Sequence, residues 1–239
     1  MELAPMLIHT IFDVLAWMAG GALGWWLRGR DRPSAGRRFT LNGDPGYFIA
    51  LAAGALSAAY LFGTLNLEFA GRAVLGHSIA GAIFGGVIGV ELYKLAHGIR
   101  GSTGVGFVAP LALGIAVGRW GCFFAGLPDY TYGTPTTLPW GVDFGDGVPR
   151  HPVQLYESFA MLAFLAVFLW QRAIGSAFMA RHGFYVFVGW YALQRFAWEF
   201  LKPYPRILGP FDLFHLLCIV LLAYSAIMLR RNHDLRPAV

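Results

Sequence analysis

The chain has 239 residues, 57% of them hydrophobic and only 13% charged, against about 25% charged in an ordinary soluble domain. That composition argues against a water-soluble globular protein and for one compact membrane domain over residues 1–239. The formal net charge of +5 does not point to nucleic acid, because most Lys and Arg sit in short clusters at the ends of apolar runs, where the positive-inside rule accounts for them.

A bilayer-crossing helix needs roughly 20 mostly apolar residues, and seven segments qualify: 4–27, 46–67, 77–97, 105–126, 152–171, 183–201 and 210–229. The first begins Met-Glu and has no small-residue cleavage signal, so it reads as a retained span and not as a signal peptide. The link after it holds Arg28, Arg30, Arg32, Arg37 and Arg38; the third link holds Lys94 and Arg100, the fifth Arg172 and Arg181, and the tail Arg230, Arg231 and Arg236. Links on the opposite side carry only Arg72, Arg150, Lys202 and Arg206. The predicted fold is therefore an all-α integral membrane protein of seven transmembrane helices, N-terminus outside and C-terminus cytoplasmic.

Helix three carries Gly81, Gly85 and Gly89, and helix four Gly114, Gly118, Cys122 and Gly126, each at four-residue spacing. Small residues on one stripe allow close backbone approach in a membrane, which predicts central places for these helices and a packing role for Cys122. Cys122 and Cys218 both lie in apolar segments, so neither a disulfide framework nor a Cys-x-x-Cys metal site is supported, and no cofactor is implied. Residues 127–151 hold Pro128, Gly133, Pro135, Pro139, Gly141, Gly145, Gly147 and Pro149, which forbid a regular helix. This extracytoplasmic loop between helices four and five is predicted to be irregular, with Tyr130, Tyr132, Trp140 and Phe144 packing it on the outer membrane surface.

Ionisable residues inside apolar segments are costly and mark candidate sites. Arg119, Glu157 and Arg195 each lie roughly 10 Å inside the outer ends of helices four, five and six. His77, His151, Asp212 and His215 fall near outer helix ends, and His9 and Asp13 share one face of helix one. Two arginines at headgroup depth suit a phosphate, because the guanidinium fork stays charged and binds oxyanions bidentately. The plainer alternative makes Arg119–Glu157 and Arg195–Glu199 structural ion pairs. Each histidine taken alone is more often an interfacial or packing residue than a catalyst.

Several stretches then resemble one family. They are Gly118-Arg119-Trp120-Gly121 with Phe123, Gly133-Thr134-Pro135-Thr136, Leu138-Pro139-Trp140-Gly141, Pro149-Arg150-His151-Pro152 followed by Gln154-Leu155-Tyr156-Glu157, and Arg195-Phe196 with Glu199-Phe200. Together they resemble the prolipoprotein diacylglyceryl transferases, multi-pass enzymes of the bacterial inner membrane. The resemblance implies transfer of diacylglyceryl from phosphatidylglycerol to the cysteine thiol of a lipobox-containing protein, with release of glycerol phosphate. It implies phosphate binding by Arg119 and Arg195, and proton transfer by His77 or His151. Arg150, Gly133, Gln154, Tyr156, Glu157 and Glu199 would complete the substrate site, with Gly133 letting the loop approach the lipid.

The departures are equally specific. The family's His-Gly-Gly histidine aligns with Ala80 in Ile79-Ala80-Gly81, and its Gly-Asn-Phe is Gly121-Cys122-Phe123 here. The following Asn-Gly-Glu is Ala125-Gly126-Leu127, and the tyrosine of helix one has no counterpart beside Phe12 and Asp13. The phosphate-holding half of the pattern is kept and the acceptor-activating half is rewritten. Two readings follow: a divergent diacylglyceryl transferase, or a non-catalytic phospholipid-binding or lipid-translocating protein that kept the phosphate site.

Overall fold

The computed structural model describes residues 3–29 and 44–233; Arg30, Arg32, Arg37, Arg38 and Arg236, counted above as topology signals, lie outside the described residues. Seven α-helices are described: α1 (Leu3–Arg28), α2 (Pro45–Phe69), α3 (Ile79–Ala96), α4 (Val108–Ala125), α5 (Val153–Ala173), α6 (Ala177–Glu199) and α7 (Leu213–His233). Six are long and apolar enough to cross a bilayer, the exception being α6, whose buried side carries His182, Gln194, Arg195 and Glu199. The exposed faces hold large apolar side chains such as Trp17, Trp25, Ile49, Leu95, Trp170 and Ile227, a surface suited to lipid and not to water. The protein is a multi-pass membrane protein.

The helix ends follow local chemistry. Asp44 caps α2 by accepting from Gly46 N at 3.0 Å, with Pro45 at the first helical position. Ser176 accepts from Met179 N at 3.4 Å and starts α6 at Ala177, earlier than the expected 183, so Arg181 lies within the helix and not in the link. Asp212 accepts from Phe214 N and His215 N at 3.0 Å each, which makes it the N-terminal cap of α7.

The chain divides into two compact units, one holding α1, α4, α5 and α6 with the 127–151 loop, the other α2, α3 and α7. In the first unit α1 and α4 pack through small residues on both sides. A Cβ on Gly20 would stand 2.7 Å from the Pro110 carbonyl oxygen, and one on Gly121 would stand 2.5 Å from Phe12 Cβ. Gly126, the last member of the predicted helix-four stripe, instead ends the helix with a φ of 70°, a conformation that a side chain resists. Trp120 Nε1 donates to Ser158 Oγ at 3.1 Å, and Ser158 Oγ donates to the Ala116 carbonyl at 2.8 Å, tying α4 to α5.

In the second unit the helix-three glycines face α2. A Cβ on Gly81 would stand 2.5 Å from the Ala58 carbonyl oxygen, and Gly85 and Gly89 meet the Gly54 and Ala50 carbonyls in the same way. The segment before α3 is fastened to α2 by Ser78 N to Ala59 O at 3.1 Å and Gly76 N to Thr64 Oγ1 at 3.2 Å.

The 127–151 loop is less irregular than its glycines and prolines predict. A 3₁₀ turn (Leu127–Asp129) leads into it, and β1 (Val142–Asp143) pairs antiparallel with β2 (Pro149–Arg150). Asp143 Oδ1 accepts from the backbone N–H of Gly145, Asp146 and Gly147 at 2.8, 3.1 and 3.0 Å, which folds the tip of this hairpin. Thr134 N donates to the Leu201 carbonyl at 2.6 Å, and His151 N to the Thr134 carbonyl at 3.1 Å, so the loop is laced to the chain just past α6.

Candidate functional site: a buried ion cluster

Arg119 enters from α4, Glu157 from α5, Arg195 and Glu199 from α6, and Lys202 from the turn after α6. Glu157 sits between all three cations. It pairs with Arg119 Nε through Oε2, with Arg195 Nη1 at 2.6 Å and with Lys202 Nζ at 2.7 Å. Glu199 Oε2 takes Arg195 Nε at 2.7 Å and lies 4.0 Å from Lys202 Nζ. All five side chains are buried, none more than 6% exposed. Both ion pairs of the plainer sequence reading are thus present, within one cluster of three cations and two carboxylates. Charges removed from water need this kind of mutual compensation, because an unpaired one would carry a large desolvation cost.

Lys202 is a correction to the sequence reading. Grouped there with exposed loop cations, it is fully buried and bonded to Glu157. Its spacing of three from Glu199 was the available signal.

The other predicted site residues fall in separate places. Gln154 is completely buried, and neither its Oε1 nor its Nε2 has a hydrogen-bond partner. Tyr156 Oη accepts from Trp140 Nε1 at 2.8 Å and lies 3.4 Å from His151 Nδ1, a polar group built from the loop and the start of α5. Gly133 N donates to the His151 carbonyl at 3.0 Å, and a Cβ on Gly133 would stand 2.6 Å from His151 Cβ. The close approach at this glycine is therefore to His151. Arg150 pairs bidentately with Asp146 at 2.6 and 2.7 Å inside the hairpin and lies over the Tyr132 ring at 5.2 Å. Its hydrogen bonds hold the Asp146 carboxyl below its usual range. His77 belongs to the second unit, where its backbone leaves only 2.5 Å for a Cβ on Gly63 of α2 and its ring lies 6.4 Å from that of Tyr60. Ala80, at the position where the resemblance places a histidine, is 1% exposed.

Sequence reasoning also missed what surrounds Cys122. Its sulfur lies 3.6 Å from His9 Nε2 and 3.7 Å from Arg119 Nη1, so the residue has polar partners besides its packing role. Asp129, in the 3₁₀ turn, lies 3.3 Å from His9. Burial pushes the Asp129 carboxyl up, but hydrogen bonds from His9 and Thr131 outweigh this and hold it below the usual range.

The fold and the cluster define a multi-pass membrane protein with a charged, cation-rich cluster built from three of its helices and the turn after α6. Residues 15–231 match the family model for prolipoprotein diacylglyceryl transferase, and the chain belongs to that family. It is 32% identical over 173 residues to the phosphatidylglycerol–prolipoprotein diacylglyceryl transferase of Methylococcus capsulatus, covering 68% of this chain and 64% of the relative. The enzyme of the same name from Nitratidesulfovibrio vulgaris strain DP4 is 30% identical over 252 residues, covering 92% of this chain and 89% of the relative. A second such enzyme of Streptomyces coelicolor is 34% identical over 139 residues, 53% of this chain and 42% of the relative. The chain thus spans less than two thirds of the length of the Methylococcus and Streptomyces relatives it matches. No solved structure matches the chain at comparable significance.

Proposed function

We propose that the protein is a phosphatidylglycerol-dependent diacylglyceryl transferase of the bacterial inner membrane, acting on the cysteine thiol of a lipobox-containing protein. The observation that carries this reading is the buried cluster of charge, in which three cations and two carboxylates meet among the described residues, in a chain of this family. A phosphodiester brings one negative charge and would balance the cluster. Arg119 and Arg195 hold the lipid phosphate, and Glu157 orients both guanidinium groups. Gln154 offers an unpartnered buried amide to the headgroup, with Tyr156, Arg150 and the Gly133 turn shaping its surroundings. Seven spans with the N-terminus outside put the loop and the cluster on the extracytoplasmic side, which agrees with the basic residues of the links.

In the transfer, the acceptor sulfur attacks the glyceryl carbon that bears the phosphate. The S–C bond forms as the C–O bond breaks, and the electron pair leaves on the oxygen of glycerol phosphate. Fixed positive charge at that oxygen lowers the barrier. A free thiol near pKa 8.5 is mostly protonated at neutral pH, so its proton must pass to a base, for which His151 and His77 are the candidate imidazoles.

A second reading, a phospholipid-binding or lipid-translocating protein without chemistry, is favoured by one observation: Ala80 supplies no imidazole at the family's histidine position. One experiment separates the two. Purified protein is incubated with phosphatidylglycerol and a lipobox peptide, and glycerol phosphate and thioether-linked lipid are measured. The transferase reading expects both products, with turnover abolished in Arg119→Ala and Arg195→Ala. Lipid binding with no product, beside an active relative, establishes the second reading instead.

A further inference from the structure

Three ligand-type atoms from three elements meet beside Arg119. His9 Nε2 of α1 lies 3.6 Å from Cys122 Sγ in the last turn of α4 and 3.3 Å from Asp129 Oδ1 in the 3₁₀ turn that follows. All three ligand atoms fall within 4.8 Å of one another. On a tetrahedral zinc ion, with sulfur at about 2.3 Å and nitrogen or oxygen at about 2.0–2.2 Å, neighbouring ligands stand roughly 3.4–3.6 Å apart. The His9–Cys122 edge falls within that spacing and the His9–Asp129 edge just below it.

The surroundings agree as well. His9 Nδ1 lies 3.0 Å from Asp13 Oδ2, so a carboxylate holds the far nitrogen and turns Nε2 toward the other two groups, the usual support of a metal-binding imidazole. Arg119 Nη1 lies 3.7 Å from the sulfur, a polar contact additional to that of His9. One thiolate and one carboxylate would neutralise a dication, which matters where unpaired charge is costly. A soft sulfur with an imidazole selects against magnesium and calcium.

We infer that His9, Cys122 and Asp129 form a three-ligand site for a divalent cation of the zinc class, with the fourth position open to the acceptor thiol. Three protein ligands with an open place are the arrangement of a reactive zinc centre and not of a closed structural one. The part played by the acceptor rests on the transferase reading above. An acceptor thiol entering the fourth position gives up its proton to water and is held as a thiolate at neutral pH. Its sulfur pair then forms the S–C bond while the C–O bond to the phosphate breaks and that pair departs on glycerol phosphate. The site supplies thiol activation without the imidazole that Ala80 lacks.

The test uses full-length protein in detergent, stripped by chelator and reloaded with Zn²⁺ or Co²⁺ alone. We expect one zinc per chain. Cobalt should give a sulfur-to-metal charge-transfer band in the near ultraviolet and strong visible bands of a tetrahedral site. Cys122→Ser should abolish the charge-transfer band, Asp13→Asn should weaken zinc binding by about 10–100-fold, and Cys218→Ser in α7 should change neither. Zinc should also protect wild-type Cys122 from alkylation, read by peptide mass spectrometry, which keeps the test valid where a variant fails to fold. Substoichiometric zinc, absence of protection, or a charge-transfer band that survives in folded Cys122→Ser overturns the site and leaves His9 as a hydrogen-bonding bridge between Asp13 and Asp129. Stoichiometric zinc without lipid transfer overturns the transferase reading and keeps the site. Undiminished transfer by metal-free protein keeps the transferase and overturns the metal's role in it.

Discussion

Glu157 is the residue on which the ion cluster depends, because three cations converge on its two oxygens. Glu157→Gln removes the carboxylate shared by Arg119, Arg195 and Lys202, and removing one partner of a buried ion pair costs about 3–5 kcal/mol. Denaturation in detergent should show a loss of that size. Lys202→Met acts in the other direction on charge, leaving two cations and two carboxylates. Its stability loss should be clearly smaller than that of Glu157→Gln, while the KM for phosphatidylglycerol rises; an unchanged KM would remove the surplus charge from the account of lipid binding. Four members of the cluster were legible in the sequence because each is an ionisable residue inside an apolar segment. Lys202 was not, since a lysine next to Pro203 at a helix end looks like an interfacial anchor until its burial is known. The meeting of His9, Cys122 and Asp129 had no spacing signal at all, because His9 is far along the chain from the other two and only the packing of α1 on α4 brings them together.

At the scale of elements, two kinds of local order hold functional side chains in place. The α2–α3 contact is made by backbone, so Gly81→Ala would put a methyl 2.5 Å from the Ala58 carbonyl oxygen. Overpacking of this kind costs about 1–3 kcal/mol, which a lowered melting temperature should report. The hairpin in the 127–151 loop is held by Asp143 and by the Arg150–Asp146 pair. Because Arg150 holds the Asp146 carboxyl below its usual range, the pair's contribution is fully present above about pH 3.9, the ordinary Asp value. It is lost as pH falls through the lowered value. Hydrogen exchange at Gly145 and Gly147 should therefore stay slow from neutral pH down to about pH 4, after correction for the intrinsic rate, and Arg150→Ala should remove that protection. The glycines and prolines correctly announced a segment without helix. They could not announce its ladder, since the register of Val142 with Arg150 is set by the Asp143-capped hairpin tip and the bond from Thr134 to Leu201 joins partners far apart in sequence. The stripe on helix three was readable as a packing face, but its partner, α2, was not.

For the whole molecule, the all-helical, multi-pass character was readable from the sequence. The expected seven apolar spans, however, meet six helices long and apolar enough to cross a bilayer among the described residues, and α6 is the difference. Its hydropathy is lowered in part by the same Arg195 and Glu199 that build the cluster. The proposed topology is checked by an impermeant maleimide on Asp146→Cys in a Cys122→Ser, Cys218→Ser background. We expect labelling in right-side-out membranes, whereas labelling only after permeabilisation would invert the orientation. A further outcome concerns how such a protein is made. A charged residue disfavours insertion from the translocon by up to about 2.5–3.5 kcal/mol at a helix centre and less toward its ends. With Arg195 and Glu199 in its last two turns and a low hydropathy, α6 should insert poorly when expressed alone. It should insert well when α5 precedes it, because Glu157 then arrives first as a counter-charge for Arg195. On this account the acid of α5 acts as a chaperone for the helix behind it, and the charges of the buried cluster order the biogenesis of the protein.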